Sequence, residues 1–302
     1  MSLQRQPRSY FIGDFVVHEP KSKNYLAACI QLCSNEDVQA NLSRTETLIE
    51  RAAGYGASLV ATPENTPFLG AQFHKVDLAQ PLDGSIMSGF SEIAKRLGIH
   101  LLIGSFAEQK RLETGEVDPH RCYNTSVLFG PSGARLNVYR KIHLFDVDVP
   151  GGLCVKESDT IAPGNTIEVA QTPLGDLGLS ICYDLRFAEL YQAQIRRGAE
   201  VLMVPSAFTL TTGKDHWHAL LKTRAIENGA YVLAPAQWGT HDEAGLRKSY
   251  GHSVIIDPWG TVIAEASDGE GLCCAEIELD RVERVRSAIP VQANRRLEWG
   301  IR

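Results

Sequence analysis

Short apolar segments with strand character alternate with helical patterns along most of the chain, and this alternation restricts the fold to the α/β class. Residues 37–54 illustrate the helical pattern, because apolar side chains recur there at steps of three and four, with Asp37 as an N-cap and Gly54 or Gly56 as a stop. The predicted strands are 26–31, 58–62, 99–104, 123–129, 135–139, 166–172, 178–181, 200–205, 231–236, 253–256, 261–265 and 273–277. The predicted helices are 37–54, 85–97, 186–196 and 215–228.

The order of these elements predicts one α/β domain of mixed sheets covered by helices. Turns at 131–133 and 258–260 join neighbouring strands as hairpins, whereas helices separate other strands in the manner of parallel crossovers. No linker rich in Pro, Gly or Ser divides the 302 residues. We therefore expect a leader or arm at 1–24, a domain over 25–280, and a helix and arm at 281–302 that pack on a partner subunit.

The composition excludes several classes of function. The chain has 30 Lys and Arg against 36 Asp and Glu, a net charge of −6, and lacks the basic excess typical of nucleic-acid-binding proteins. Its longest apolar runs, such as 201–204, are too short to cross a bilayer, and residues 1–24 lack the apolar core of a signal peptide. The seven cysteines show no disulfide-framework spacing. We expect a cytoplasmic protein without nucleic-acid or membrane partners, although Arg5 and Arg8 also permit organelle targeting.

The common cofactor motifs are absent from the sequence. There is no Gly-x-x-x-x-Gly-Lys loop, no Gly-x-Gly-x-x-Gly turn after a strand and no Gly-x-Ser-x-Gly elbow. His216 and His218 are two residues apart, a spacing that does not place both on one face of a helix. We therefore expect neither a cofactor nor a metal site.

Three reactive side chains, Glu64, Lys141 and Cys182, each come just after the end of a predicted strand. Ligands bind at such strand ends in open α/β sheets. The N–H groups of a strand-to-helix turn are expected to lower the pKa of the Cys182 thiol and to hold an oxyanion. Each side chain also has an ordinary structural alternative: a capping carboxylate, a surface lysine and a buried inert cysteine. Together they form a set suited to nucleophilic catalysis.

The segments around these side chains resemble the motifs of the nitrilase, or carbon–nitrogen hydrolase, superfamily. The matching segments are Pro63-Glu64-Asn65, Arg140-Lys141-Ile142-His143-Leu144-Phe145 and Cys182-Tyr183-Asp184-Leu185-Arg186-Phe187. The resemblance covers residues 25–290 and implies a catalytic triad of Glu64, Lys141 and Cys182. It also implies a four-layer αββα sandwich with two mixed sheets packed face to face, assembled as a homodimer or a dimer of dimers.

Further segments resemble the Nit branch of this family, whose members are amidases that act on deaminated glutathione. These segments are 143–151, 157–159, 206–213, 224–228 and 249–253. Two positions depart from the pattern, because Ala188 stands where the family usually has Pro and His218 where the branch usually has Glu. The resemblance implies an amidase that hydrolyses a small acidic amide to an acid and an amine or ammonia through a cysteine thioester.

Other functions are compatible with the same triad. It also serves ω-amidases acting on 2-oxo-acid amides, N-carbamoyl hydrolases and nitrilases, which stay open as alternatives. A catalytically silent binding or signalling module that retains the site is an alternative of another class.

The resemblance implies roles for residues around the triad. Glu157 matches a second family glutamate that positions the substrate and the triad lysine. The backbone N–H of Tyr183 is expected to join Lys141 in holding the oxyanion, and Phe208 and Thr212 are expected to line the pocket.

Arg186 lies four residues after Cys182, on the expected first turn of a helix. A guanidinium there is suited to bind a substrate carboxylate with two hydrogen bonds. The alternative is a structural ion pair with Glu189 or Glu227. We also expect Glu227 and Arg224 to form a buried structural pair.

Overall fold

The computed structural model describes residues 10–12, 15–17, 24–148 and 154–296. Its strands, in chain order, are β1 (Tyr10–Ile12), β2 (Phe15–Val17), β3 (Asn24–Gln31), β4 (Ala57–Ala61), β5 (His100–Arg111), β6 (Val117–Phe129), β7 (Arg135–Arg140), β8 (Asp146–Asp148), β9 (Cys154–Lys156), β10 (Ile161–Ala162), β11 (Val169–Thr172), β12 (Gly175–Leu179), β13 (Val201–Met203), β14 (Tyr231–Ala234), β15 (Trp238–Thr240), β16 (Lys248–Tyr250), β17 (Val254–Ile256), β18 (Val262–Glu265) and β19 (Gly271–Glu278). Its helices are α1 (Val38–Gly54), α2 (Gln72–Asp77), α3 (Ser85–Leu97), α4 (Ala188–Arg196), α5 (Leu210–Asn228), α6 (Leu279–Ala288) and α7 (Val291–Asn294). Two 3-10 turns occupy Glu157–Asp159 and Cys182–Arg186.

Two mixed sheets form the centre of the fold. The first has the strand order β10-β6-β5-β4-β3-β19, and β7 also pairs with β6. Its strands β3, β4 and β5 are parallel neighbours, while β19 pairs with β3 in the antiparallel sense. The second sheet has the order β11-β12-β13-β14-β17-β18. There β12, β13 and β14 are parallel, and the outer strands pair antiparallel.

The alternation of side chains along β3 shows how the layers stack. Ala27 and Cys29 are buried in a cluster that includes residues of the second sheet such as Leu177. Ala28 and Ile30 are buried with residues of helices α1 and α3. Because successive strand residues face opposite sides, the first sheet has the second sheet on one face and helices on the other. Helices α4 and α5 cover the second sheet, so the four-layer αββα sandwich is confirmed.

Several helix ends are determined by local chemistry and fall where the sequence predicts them. The Asp37 carboxylate accepts a hydrogen bond from the Ala40 N–H at 3.0 Å and caps α1, an interaction that typically contributes about 1 kcal/mol. Gly98 ends α3 with a φ of 65°, in the left-handed region that favours glycine.

The long hairpin of β5 and β6 extends well beyond the predicted segments 99–104 and 123–129. The antiparallel pairing continues to Arg111 and Val117, with irregularities in the register. The extra residues are mainly polar, so an apolar pattern could not reveal them.

Two helices begin at other positions than predicted. Helix α5 begins at Leu210 rather than at 215, since the Gly213 N–H already donates to the Thr209 carbonyl at 2.7 Å. Helix α4 begins at Ala188 rather than at 186, because the chain first forms the 3-10 turn Cys182–Arg186. The expected position of Arg186 on an opening helical turn is therefore wrong.

The ends of the chain are described in part. Within the expected arm 1–24, β1 and β2 pair as an antiparallel hairpin, and residues 1–9, 13–14 and 18–23 lie outside the described residues. At the other end, Arg286 of α6 donates to the carbonyl of Ala199 at 2.8 Å, so α6 packs on the domain of its own chain. Residues 297–302 lie outside the described part. None of the described helices is long and apolar enough to cross a membrane.

Candidate active site

The ends of three strands from both sheets bring the predicted reactive groups together. Glu64 follows β4 and Lys141 follows β7 in the first sheet, while Cys182 follows β12 in the second. The three side chains line one cavity of about 290 Å³. All the other residues expected at the site also line it: Glu157, Tyr183, Arg186, Phe208 and Thr212.

A close backbone contact fixes the loop that carries Glu64. Gly104 of β5 packs directly against the carbonyl groups of Thr62 and Pro63, so a Cβ at this position would collide with backbone atoms. The next residue, Ser105, accepts the Asn65 N–H through its Oγ at 2.8 Å. Strand β5 thereby fixes the position of the Glu64 loop, and this close backbone contact requires glycine at position 104.

Lys141 is the centre of a buried ion cluster. Its Nζ lies 3.0 Å from Glu64 Oε1 and 3.0 Å from Glu157 Oε2. The Asn124 side chain bridges both acids, donating to Glu64 Oε1 at 2.9 Å and to Glu157 Oε1 at 3.3 Å. Lys141 is 2% exposed and Glu64 3% exposed, so neither is a surface side chain.

Opposing effects determine the charge states in this cluster. Burial favours the neutral form of Glu64, but the ammonium groups of Lys141 and Lys75 outweigh it and lower the pKa of Glu64. Burial likewise opposes the charged form of Lys141, yet Glu157 and Glu64 raise the pKa of Lys141 well above its usual value. An ionised carboxylate therefore faces a charged ammonium group at neutral pH.

The thiol of Cys182, unlike Glu64 and Lys141, is held in its neutral form. Burial and the negative charge of Glu64 raise the pKa of Cys182 well above its usual value, despite the opposing charge of Lys141. The expectation of a lowered thiol pKa is therefore wrong, because desolvation and the nearby carboxylate outweigh the positive charge of Lys141. The thiol therefore stays protonated beside the ionised Glu64 carboxylate.

The backbone at Cys182 is unusual as well. Cys182 has a φ of 48°, in the left-handed region that non-glycine residues rarely adopt, and such strain is concentrated at functional sites. Its N–H donates to the Pro205 carbonyl at 2.9 Å, which joins the turn to the end of β13.

Asp184 connects the turn of Cys182 to the loop of Lys141. The fully buried Asp184 carboxylate accepts the Ile181 N–H at 2.9 Å and the Tyr139 hydroxyl at 2.7 Å. It also accepts the backbone N–H of His143 at 3.0 Å. Asp184 has no role assigned from the sequence beyond its place in a motif, because two of its three partners, Tyr139 and His143, are more than 40 residues away along the chain.

Contacts on both of its oxygens hold Glu157 in place. Besides Lys141, its carboxylate accepts the N–H of Phe145 at 2.6 Å, which orders the loop after Lys141. On the other acid, Glu64 Oε2 accepts the N–H of Ala207 at 2.9 Å. Backbone groups from both sheets thus fix the two carboxylates.

Arg186 forms part of the cavity wall. Its guanidinium lies over the rings of Tyr183 and Phe208, 5.7 Å and 5.1 Å from their centroids. Its Nη1 is 3.3 Å from His216 Nδ1. Among the residues that the structure describes, no carboxylate pairs with Arg186, so the alternative ion pair with an acid of α4 or α5 is not formed. The guanidinium keeps donors available for a ligand in the cavity.

Three further cations line the cavity and were missed in the sequence. Lys75 of α2 is buried and donates to Asn65 Oδ1 at 2.9 Å, and Arg247 and Lys248 are the other two. In total, five cationic and two carboxylate side chains line the cavity. Lys75 lies in a short helix that shows no strand-end pattern, so no signal in the sequence singled it out.

Other expectations concern residues outside the cavity. Arg224 pairs with Glu227 at 2.8 Å and is buried, so the structural pair is confirmed. Among the described residues, one group of His, Cys, Asp or Glu side chains is close enough to share a metal ion, and none of its members lines the cavity.

Comparison with known proteins agrees with this geometry. The chain is 44% identical over 270 residues to the deaminated glutathione amidase of Synechocystis sp., which covers 89% of this chain and 97% of that protein. It is 40% identical over 271 residues to Omega-amidase NIT2 of Danio rerio, covering 89% and 94% of the two chains. The crystal structure of the C. elegans NitFhit protein superposes with a TM-score of 0.83 at 38% identity, over 91% of this chain and 66% of that one.

A family model described as carbon–nitrogen hydrolase matches residues 26–287, a range that includes every residue lining the cavity. Sequence identity, fold and domain match agree, and we conclude that the chain belongs to the carbon–nitrogen hydrolase family.

Proposed function

We propose that this protein is an amidase that cleaves a small amide carrying a carboxylate, with Cys182 as nucleophile, Glu64 as general base and Lys141 as electrostatic stabiliser. One observation above all supports this proposal. Three groups from remote parts of the chain meet in a cavity where a protonated thiol and an ionised carboxylate share the same lining. Such a pair is the starting state for proton transfer and nucleophilic attack.

In the first half of the reaction, the sulfur of Cys182 attacks the carbonyl carbon while Glu64 takes the thiol proton. The carbonyl oxygen becomes an oxyanion between the ammonium group of Lys141 and the backbone N–H of Tyr183. Tyr183 is in the opening turn of a 3-10 segment, where the first N–H groups have no partner within the turn. Glu64 then protonates the leaving nitrogen, the C–N bond breaks, and a thioester stays on Cys182.

In the second half, Glu64 takes a proton from a water molecule, which attacks the thioester carbon. The C–S bond breaks, the acid product leaves, and the proton returns from Glu64 to the Cys182 sulfur. The same carboxylate thus serves as base and acid twice, which requires the fixed position that Ala207 and Asn124 give it.

The charge of the cavity favours an acidic amide. The lining has three more cations than carboxylates, although the whole chain has a net charge of −6. Lys141 is already neutralised by Glu64 and Glu157, so the remaining cations, led by Arg186, are suited to bind a carboxylate. Together with the relatives named above, this supports deaminated glutathione as the substrate. An ω-amide of a 2-oxo acid is the second candidate, since it also carries a carboxylate.

The test of the nucleophile is the Cys182→Ala variant. We expect no detectable amide hydrolysis, whereas Cys274→Ala, which removes a half-buried thiol outside the cavity, should retain wild-type rates. Mass spectrometry of the wild-type protein mixed with an activated acidic ester should show one acyl group on Cys182. Turnover by Cys182→Ala, or the absence of acylation as expected of a silent binding module, would contradict the mechanism.

The test of the substrate is a product assay over deaminated glutathione, 2-oxoglutaramate, N-carbamoyl compounds, nitriles and neutral aliphatic amides. We expect the highest kcat/KM for deaminated glutathione and weak activity on neutral amides. A preference for a neutral amide would contradict the role of the cavity charge.

We also propose that 25–280 is the catalytic domain, that 281–302 contact a partner subunit in a homodimer or dimer of dimers, and that the protein is cytoplasmic. Seven unpaired cysteines support a reducing compartment. Ile226 and Trp259, each 56% exposed, support an apolar contact between subunits near α5. Light scattering of the wild-type protein and of Ile226→Glu tests this assembly, and a monomeric wild type would refute it.

A further inference from the structure

Helix α5 carries two histidines that face different neighbours. His216 contacts Arg186 at the cavity wall. His218, which departs from the Nit pattern, contacts Glu265 at the end of β18, with 3.0 Å between His218 Nε2 and Glu265 Oε1. The mechanism proposed above gives His218 no role.

A second imidazole converges on the same carboxylate oxygen. His252 Nδ1 lies 2.7 Å from Glu265 Oε1, so one oxygen faces two ring nitrogens. The three candidate ligand atoms all lie within 4.8 Å of one another. They come from three separate segments, α5, the loop before β17 and the strand β18, and only tertiary structure brings them together.

A second carboxylate lies near the other side of the His252 ring. Its second ring nitrogen, Nε2, lies 3.9 Å from the carboxylate of Asp268, and Asp268 is itself contacted by the indole N–H of Trp238 at 3.3 Å. A metal-binding imidazole commonly directs its other N–H to a carboxylate, which fixes the tautomer. The carbonyl of His252 accepts the Trp217 N–H at 2.9 Å, and this holds the backbone in place.

We propose that His218, His252 and Glu265 form a binding site for a divalent transition-metal ion such as Zn²⁺. Two imidazoles and one carboxylate suit zinc and its neighbours in the periodic table, whereas Mg²⁺ and Ca²⁺ prefer oxygen ligands alone. The side chains are 29–33% exposed, so water can complete the coordination. When the metal binds, the two ring nitrogens that face Glu265 are unprotonated and coordinate the ion. The ring protons then reside on the other nitrogens, His218 Nδ1 and His252 Nε2.

The ion would connect α5, whose first residues line the active-site cavity, to the loop before β17 and to β18. The ring of Tyr250 stacks on the ring of His252 with 4.4 Å between centroids. The backbone N–H of Tyr250 donates to the carbonyl of the cavity residue Phe208 at 2.9 Å. A metal bound to α5 and β18 therefore stabilises the segment beside Tyr250 without touching the reacting atoms. The site serves to hold the wall and lies apart from Cys182.

Isothermal titration of the full-length protein with Zn²⁺ tests the site. We expect one ion per chain in the wild type, and a loss of affinity of more than about 100-fold in His218→Gln and Glu265→Gln. Asp268→Asn should weaken binding by about 10-fold, since it acts only through His252. His120→Gln, which removes an exposed imidazole elsewhere, is the matched control and should bind like the wild type.

Cobalt distinguishes this site from the thiols of the chain. Co²⁺ bound by nitrogen and oxygen should give visible d–d absorption without the sulfur charge-transfer band that a cysteine site produces, and the absorption should vanish in His252→Gln. Absence of binding in the wild type, or binding that persists in His218→Gln and Glu265→Gln, would overturn the proposal. Neither result would bear on amide hydrolysis, which Cys182→Ala tests separately.

Discussion

Arg140 and Lys141 are neighbours in the chain, yet they enter different electrostatic environments. Arg140 forms a two-armed pair with Glu108, with N–O distances of 2.5 Å and 2.8 Å, and its side chain is 41% exposed. Lys141 is buried and shared between Glu64 and Glu157. Because successive residues at a strand end point to opposite faces, one cation stays at the sheet surface and the other enters the cavity.

The difference between the two clusters separates a structural ion pair from a reactive one. Glu108 is satisfied by one cation and by the Thr125 hydroxyl at 2.7 Å, so its charge is fully matched. At Lys141 two carboxylates share a single ammonium group. Glu64 therefore retains the capacity to accept a proton from a third partner, Cys182. The two clusters differ in the number of carboxylates per cation, two at Lys141 and one at Arg140, whereas the N–O distances in both are within hydrogen-bonding range.

Replacing the buried cation is expected to have the largest effect. Lys141→Met should lower kcat/KM by at least about 100–1000-fold, because one oxyanion donor is lost. It should also lower the free energy of unfolding by about 3–5 kcal/mol, since two buried carboxylates lose their counter-charge. Steady-state kinetics and urea denaturation measure both effects. Lys95→Met, at an exposed lysine of α3, is the control, and equal behaviour of the two variants would remove the distinction.

Substitution of the cavity arginine tests what the unmatched cations bind. Arg186→Lys should raise KM for acidic amides by about 10-fold, because a lysine cannot form the two parallel hydrogen bonds of a guanidinium. KM for a neutral amide should not change, and this second substrate is the internal control. A similar rise for both substrates would assign Arg186 to the shape of the wall rather than to recognition of charge.

Replacing Arg140, which pairs with Glu108, should affect stability rather than activity, unlike replacing Lys141. Arg140→Met should leave kcat/KM unchanged and lower the free energy of unfolding by about 1–2 kcal/mol, because the buried Glu108 loses its principal donor. The comparison with Lys141→Met, made on the same substrate and in the same denaturant series, shows whether the two clusters are independent. A large loss of activity in Arg140→Met would mean that they act as one network.

The smallest effect is expected from the second cation near Glu64. Lys75 helps to lower the pKa of Glu64, so Lys75→Met should raise that pKa. The base is active only as a carboxylate, and kcat/KM falls as the pH drops through its pKa. The acid limb of the profile should therefore move to higher pH, while the rate near pH 8 on a neutral amide changes little. An unchanged acid limb would show that Lys141 alone sets the ionisation.

Much of the fold and the chemistry could be predicted from local patterns. Glu64, Lys141 and Cys182 were identifiable because each follows an apolar strand, and the resemblance then gave them roles. Helix α1 was predictable because Asp37 caps it within three residues. Such features depend on neighbours in the sequence, and short-range physics is sufficient for them.

The features that were missed depend on distant partners. Asn124 bridges two acids, one of which is 60 residues away, and Lys75 lines the cavity because its helix α2 packs against β5 and β6. The pKa of Cys182 was predicted in the wrong direction because its burial and the charge of Glu64 arise from the packing of two sheets. Periodicity and motif spacing carry no information about such contacts.

The close packing of Gly104 against the loop of Glu64 has a consequence for evolution within this family. The proposed general base is anchored to the sandwich itself, whereas Arg186, Arg247 and Lys248 belong to a 3-10 turn, a loop and a short strand. Mutations at these three positions can therefore change which molecules are accepted while the Glu64 loop keeps its geometry. One scaffold can in this way give rise to enzymes that share a reaction mechanism and differ in substrate.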